Sequence, residues 1–334
     1  MKLTKNFTFC DLFAGIGGIR MALEKTGGSC VFSSEWNKYS RETYHENFNE
    51  WPEGDITKIK PRDIPDHDVL AAGFPCQPFS LAGISKKNSM NRPVGFDDLS
   101  QGNLFFNVAS IIKQKRPSAV LLENVKNLKT HDSGNTFNVI KTSLEKLKYD
   151  VHAEVIDGKY LVPQHRERIF IVAFDKNTEY KEFKFPKFKK IRKTLDDILE
   201  KNPEKKYTLT PGVWNALKRH AERHRVKGNG FGYGIAKRDG ISRTLSARYY
   251  KDGAEILISQ GPGKRPRRLT PRECCKLMGF PYNYKIKVSD NQAYQQFGNS
   301  VVVPIVEIVA RNMVNSMDIR KKMMVVNPGR KRVR

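Results

Sequence analysis

Phe7-Thr-Phe-Cys-Asp-Leu-Phe13 runs into Ala14-Gly15-Ile16-Gly17-Gly18, after which Ile19, Ala22 and Leu23 recur at helical spacing. The first seven residues read as a buried strand, the glycines as a turn and the remainder as a helix. Small residues at the carboxyl end of a first strand let backbone approach a ligand closely, while the N-terminus of the next helix points at it. A nucleotide-like ligand fits such a loop. A dinucleotide fingerprint would want G-x-G-x-x-G, and Arg20 stands where its third glycine should be, so NAD and FAD are disfavoured.

Outward from this unit, the sequence predicts strands over 30–34, 68–72, 119–122, 151–155 and 168–174, with helices over 39–48, 104–115 and 135–147. Alternating strands and helices imply an α/β fold: a mostly parallel sheet with helices on both faces. The pattern stops near Pro186. Lys/Arg clusters, four glycines between 228 and 234 and short strand-like pieces such as 255–259 predict a small, mostly β domain over 186–268. Helical spacing resumes over 271–278, and an apolar helix over 301–314 is expected to rejoin the first domain before a basic tail. The expected division is 1–185, 186–268 and 269–334.

The 334 residues suffice for about two domains of roughly 150 each. Hydrophobic residues make up 39% of the chain, mean hydropathy is -0.57, and no run approaches the roughly 20 apolar residues of a membrane span. A membrane protein is excluded on this reading. The N-terminus has no apolar signal region, so a cytoplasmic protein is expected. Five cysteines without a C-x-x-C pair argue against a disulfide framework and a zinc site. Sixty Lys and Arg against 35 Asp and Glu leave +25, which calls for a polyanionic partner. Between Lys187 and Arg268 there are 22 basic residues and 8 acidic, so this quarter of the chain should face the polyanion.

Several positions carry chemistry. Glu35, ending the second strand, can accept hydrogen bonds from ribose hydroxyls, and Trp36 can pack on a purine. Asp55-Ile56 follows a turn glycine and could meet an adenine amino group. In Gly73-Phe-Pro75-Cys76-Gln77-Pro-Phe-Ser80 a strand delivers a cysteine between two prolines, a rigid turn that can present a thiolate. The other four cysteines sit in strand or helix patterns and read as packing residues. Glu123 ends a further strand and should reach the same sheet edge as Cys76. Arg166 and Arg168, at alternate positions entering a strand, share a face and suit phosphate or a pyrimidine oxygen. His165 between them reads as incidental.

The ordered set DLFAGIGG, FPCQPFS, ENV, QHRERI, RRLTPRECCKLMGFP and QAYQQFGNSVVVP resembles the DNA (cytosine-5)-methyltransferase family from end to end. The resemblance implies a Rossmann-like S-adenosylmethionine-dependent domain with a small target-recognition domain, acting on double-stranded DNA. It implies that the Cys76 thiolate adds to carbon 6 of a flipped cytosine, making an enamine of the ring. Glu123 shares a proton with ring nitrogen 3, and Arg168, helped by Arg166, holds the base oxygen. Phe13, Gly15, Gly17, Gly18, Glu35, Trp36, Asp55, Ile56, Gly73, Pro75, Leu104, Asn299, Ser300 and Val301 fall on the family's cofactor positions. Gln77 and Ser80 fall near the space left by the flipped base. Residues 228–234 and 242–253 are similar to the Dcm-type branch, which modifies the inner cytosine of CCWGG or CCNGG. In that region Arg243, Arg248, Tyr249 and Lys251 are the expected base readers, with Thr244 at the DNA backbone. The family further implies a monomer and a separate cognate endonuclease. Gln101 stands before Gly102 where the family often has arginine, and the stretch 259–267 is short. The competing readings are an RNA cytosine methyltransferase of the same fold, a catalytically inactive DNA-binding regulator and, weaker, an NAD-dependent oxidoreductase.

Overall fold

The computed structural model describes residues 6–75, 104–189, 193–229 and 232–317. Six strands form one sheet in the order β2-β1-β3-β4-β6-β5: β1 (Phe7–Leu12), β2 (Gly28–Ser34), β3 (Val69–Ala72), β4 (Ala119–Val125), β5 (Tyr149–Asp157) and β6 (Glu167–Asp175). The helices are α1 (Gly18–Glu24), α2 (Lys38–Phe48), α3 (Leu104–Lys115), α4 (Asn135–Lys146), α5 (Pro211–Val226), α6 (Pro271–Leu277), α7 (Asp290–Asn299) and α8 (Val303–Ser316).

The central strands are apolar at nearly every position because both faces are covered. Phe7 and Phe9 of β1, Val69 and Ala71 of β3, and Ala119 and Leu121 of β4 enter one core, shared with α1 and α8. The intervening Cys10, Leu12, Leu70, Ala72, Val120 and Leu122 enter the other, closed by α3 and α4. The period of two thus sorts each strand between two helical layers. β1 to β4 are parallel, as expected. β6 departs from that expectation: it is antiparallel to both β4 and β5. Residues 158–166 are too few for a crossover helix, so β5 must return as a hairpin.

The described part of the C-terminal segment packs into the sheet's core. The stretch Asp290–Ser316 has the length and hydropathy of a membrane span, yet 61% of its apolar window is buried inside the protein. Val306, Val309, Ala310 and Met313 of α8 are core residues. The same core takes in Leu195, Tyr207, Leu245, Tyr249 and Ile258, so packing is continuous across the boundaries expected at 186 and 268.

The mostly β small domain is corrected. Among its described residues, the strands are only β7 (Ile235–Ala236) and β8 (Leu257–Ile258), whereas α5 has 16 residues. The local signals for α5 are present: Thr210 accepts a hydrogen bond from Val213 N, Pro211 opens the helix and Arg223 and Arg225 close it. The charges obscured the apolar periodicity, because Leu217 is the one buried residue in the helix.

Arg20, in place of the fingerprint's third glycine, is buried and holds Glu24, Tyr44 and Glu50. Behind it lies Asp11, fully buried, its carboxylate oxygens without a hydrogen-bond partner. Burial pushes its pKa up to about 7, against the opposing pull of Arg20. A carboxyl held above its unfolded value stabilises the fold at low pH and loses that contribution as pH rises through the folded pKa. Asp11→Asn should therefore narrow the difference in melting temperature between pH 5 and pH 8, measured by calorimetry. An unchanged difference would refute this account of Asp11.

Candidate active site

After β1 the chain turns to one side to form β2 and later crosses to the other to form β3, so the carboxyl ends of β1 and β3 diverge around a crevice. A cleft of about 1090 Å³ opens there. Its first half is built by the glycine turn. Phe13, Gly15 and Gly17 all have positive φ, at 56°, 56° and 80°. For Phe13 that conformation is strained, and such residues gather at ligand sites. Gly15 N donates to Glu35 Oε2 at 2.9 Å, and Asn37 N donates to Glu35 Oε1 at 2.8 Å. The carboxylate is thereby fixed at the end of β2, and burial raises its pKa against these N–H groups. Trp36 beside it lines the cleft 78% exposed, an indole face open to a planar ring. Asp55 Oδ1 accepts from Thr57 N and Oγ1, which caps the turn at Ile56 and lowers the Asp55 pKa.

All the predicted cofactor positions line this cleft except Gly17. A Cβ there would come within 2.1 Å of the Phe48 ring, so its absence serves packing against α2 and not ligand approach. At Gly18 a Cβ would meet Val301 and Ser300 at 2.9 and 3.0 Å. That close approach seats the Asn299-Ser300-Val301 loop against the first helix.

The second half of the cleft has a charged floor. Glu123 is on β4, and Val125, two residues on, pairs with Arg168 of β6. Glu123 and Arg168 therefore share a face as diagonal neighbours, and Arg168 Nε lies 3.2 Å from Glu123 Oε1. The two side chains are 17% and 12% exposed. Burial raises the Glu123 pKa, with Arg168 and then Arg166 pulling it down. Asn124 Nδ2 donates to Phe74 O at 2.9 Å and so fixes the peptide two residues before Cys76. Sequence reading gave Asn124 no role of its own; the signal was an amide directly after a site carboxylate. Cys76, Gln77 and Ser80 lie outside the described residues. Burial raises the Cys10, Cys274 and Cys275 thiols, which suits inert packing groups.

Arg166 reaches the floor but differs from its expected role. Its Nη1 donates to Leu245 O at 2.7 Å, and its Nη2 to Gly298 O and Ser300 O at 2.8 and 2.7 Å. It is 2% exposed, and burial lowers its pKa to about 9. The guanidinium is thus a clamp on two other segments, not a hand for the base or for phosphate. His165 is not incidental either: its Nδ1 is 2.5 Å from Asp157 Oδ2, and its backbone N–H donates to Ser242 O. Gln164 completes the seam, accepting from Leu245 N at 2.8 Å.

Of the expected base readers, Arg243, Arg248 and Lys251 are exposed, and Thr244 donates from Oγ1 to His165 O at 2.6 Å. Tyr249 is corrected. It is fully buried, donates to Ile256 O and accepts from Leu269 N. It organises the core and cannot reach a base.

Residues 7–315 match the family model described as C-5 cytosine-specific DNA methylase. The type II methyltransferase M.SsoII of Shigella sonnei is 48% identical over 93% of this chain and 81% of its own length. The DNA-cytosine methyltransferase of Escherichia coli K12 is 48% identical over 91% and 77%. Among solved structures, a Spodoptera frugiperda DNMT2 mutant superposes with a TM-score of 0.74 at 20% identity, covering 92% of this chain and 99% of that one. That likeness shows a shared, Rossmann-like fold. The chain belongs to the C-5 cytosine-specific DNA methylase family.

Two predictions test the charged floor. If Glu123 acts in its protonated form, activity should fall on the alkaline side as it ionises. Arg168→Ala removes a group that lowers the Glu123 pKa, so that limb should move to higher pH, and Glu123→Gln should abolish it. A limb at the same pH in all three proteins would eliminate Glu123 as the titrating group. Asn124→Ala strands Phe74 O, at about 1–3 kcal/mol, and should lower kcat roughly tenfold while binding of the methyl donor holds. Loss of donor binding with kcat intact would reverse that assignment.

Proposed function

We propose that the protein transfers a methyl group from S-adenosylmethionine to carbon 5 of a cytosine in duplex DNA, the cytosine being rotated out of the stack into the cleft. One observation carries this reading beyond family membership. The ion-paired Glu123 and Arg168 stand in the same cleft as Gly15, Glu35 and Trp36, so one continuous space can hold both base and donor.

The residues fit the donor. Glu35, fixed by two backbone N–H groups, would accept from ribose hydroxyls; Trp36 and Ile56 would flank the adenine, and Asp55 would take its amino group. Leu104 and the 299–301 loop would close the far wall. S-adenosylmethionine supplies the electrophilic methyl group when bound. Carbon 5 is too weak a nucleophile to take it unaided. The Cys76 thiolate forms a bond to carbon 6, and the electron pair moves toward ring nitrogen 3, where Glu123 supplies a proton. Arg168 holds the base oxygen. Once carbon 5 carries the methyl group, water takes the carbon 5 proton as the thiolate leaves carbon 6, and Glu123 recovers its own proton from ring nitrogen 3. A raised Glu123 pKa suits a carboxyl that must give a proton and take it back.

Target choice falls to 186–268, with Arg243, Arg248 and Lys251 reading bases and Thr244 at the backbone; 1–185 is the catalytic and donor-binding part, which 269–334 completes. The likeness to the Dcm-type branch supports the inner cytosine of CCWGG or CCNGG. The protein acts in the cytoplasm as a monomer, the modification partner of a separately acting endonuclease. Relatives named as type II methyltransferases support that placement.

Bisulfite sequencing of plasmid DNA from cells expressing the protein should show protection at the inner cytosine of such sites. No protected cytosine in any context, from a folded protein, would turn the reading toward an RNA substrate or an inactive regulator. Cys76→Ala should abolish turnover and leave duplex binding intact, and methylation at near the wild-type rate would remove Cys76 from the mechanism.

A further inference from the structure

α5 rests on the protein along a narrow stripe. Leu217 is buried, Trp214 is half-buried against Leu209, Leu257 and Tyr233, and Ala221 meets Gly232. The rest of the helix faces solvent, and its second half is strongly basic. Between 218 and 227 stand Lys218, Arg219, Arg223, Arg225 and Lys227 against a single acid, Glu222. Arg225 takes up that acid at 2.9 and 2.6 Å. Among the described residues no ion pair engages the other four. Like charges three and four residues apart on one helix repel, so the arrangement costs stability unless a polyanion lies against it.

The surroundings place that polyanion. A Cβ on Gly232 would stand 3.0 Å from Ala221 Cβ, and a Cβ on Gly234 would stand 3.5 Å from Arg243 Cζ. Two residues of one short segment thus touch α5 and the guanidinium of Arg243 in turn, which makes the helix and that arginine near neighbours. The basic face of α5 therefore belongs to the same neighbourhood as a residue assigned to base reading. The basic stretch is about 15 Å long at 1.5 Å per residue, enough to follow about four phosphates of one strand at 3.4 Å each.

We propose that α5 is a second, sequence-blind DNA contact that grips duplex phosphates flanking the methylation site. The proposal rests on the reading of this chain as a DNA methyltransferase. α5 adds affinity and electrostatic steering, while Arg243 and its neighbours set the choice of site.

The test replaces Lys218, Arg219, Arg223 and Lys227 together by Gln. The control replaces Lys146, Lys148, Lys176 and Lys181 by Gln, near the edge of the sheet opposite the cleft, so the change in net charge is the same. Binding is measured on a duplex of about one helical turn centred on the site (roughly 10 base pairs) and on one of about four turns. On the long duplex the α5 variant should bind on the order of ten- to a hundredfold more weakly, with its salt slope reduced by about 3.6. On the short duplex it should match the wild type, and kcat at saturating DNA and the methylated position should not change. An equal loss on both duplexes, no loss on the long one, or the same loss in the control would overturn the proposal. A wild-type protein that methylates neither duplex would instead sink the functional reading, and a lowered melting temperature in the variant would expose a folding defect in place of a lost contact.

Discussion

The loop 158–166 cannot carry the chain back across the sheet, so β6 runs against β4, and this reversal places the charged floor. An antiparallel strand begins where its neighbour ends. Arg168 at the start of β6 therefore meets Val125 at the end of β4, on the edge where β1 and β3 also finish. Were β6 parallel, Arg166 and Arg168 would lie at the other end of β4, about 20 Å away at 3.3 Å per residue. Glu123 would then be a buried carboxylate with no cation beside it. The cleft needs both arrangements at once: parallel strands that open a crevice for the donor, and one reversed strand that returns arginines to it.

The two arginines of β6 divide the work between them. Arg168 keeps its ion pair with Glu123 at the cleft, whereas Arg166 spends its Nη donors on the carbonyls of Leu245, Gly298 and Ser300. Those carbonyls belong to the 186–268 region and to the C-terminal loop that lines the donor side. One buried side chain therefore ties the region assigned to target choice, the donor-side loop and the catalytic hairpin. Asp157 steadies the hairpin from behind, accepting from Arg166 N and lying against His165. Each carbonyl stranded by loss of Arg166 would cost about 1–3 kcal/mol, so its part is to hold the site together and not to touch the base.

How far the sequence could be read depended on whether a property is local. The strands and most of the helices of the sheet domain were legible because burial on two faces imposes long apolar runs and regular periods. Glu35, Trp36 and Glu123 were legible because each ends a strand at the carboxyl edge, where topology alone directs it to the crevice. Arg166 and Arg168 were expected on one face and both line the cleft, but periodicity could not say which of them another segment would cover. Tyr249 was misread for the same reason. A tyrosine in a basic run looks like a stacking residue, and only the packing of Tyr294 and Leu269 around it shows a core phenol. The antiparallel turn of β6 was also legible in principle, since loop length is written in the chain. The α5 helix was hidden differently, its caps being explicit while three residues carry its apolar stripe.

The electrostatics of the cleft run opposite to those of the chain. A protein of net charge +25 lines its central cavity with three acids, Glu35, Asp55 and Glu123, against two bases, Arg166 and Arg168. Over half of the positive excess lies between 187 and 268, in a region that contributes none of the acids of the cleft. The two sets of charges can coexist because each acid in the cleft is differently restrained: Glu35 by backbone N–H groups, Asp55 by its capped turn, Glu123 by Arg168. The pairing at Glu123 also bears on the proposed binding of DNA over the cleft. Excluding water raises the cost of any lone charge, but a carboxylate and guanidinium already in contact carry no net charge into the closed space. Closure then deepens the burial that raises the Glu123 pKa, while Arg168 keeps the carboxyl from being locked in its neutral form. The proton then stays transferable in both directions, which the proton-sharing role proposed for Glu123 would require.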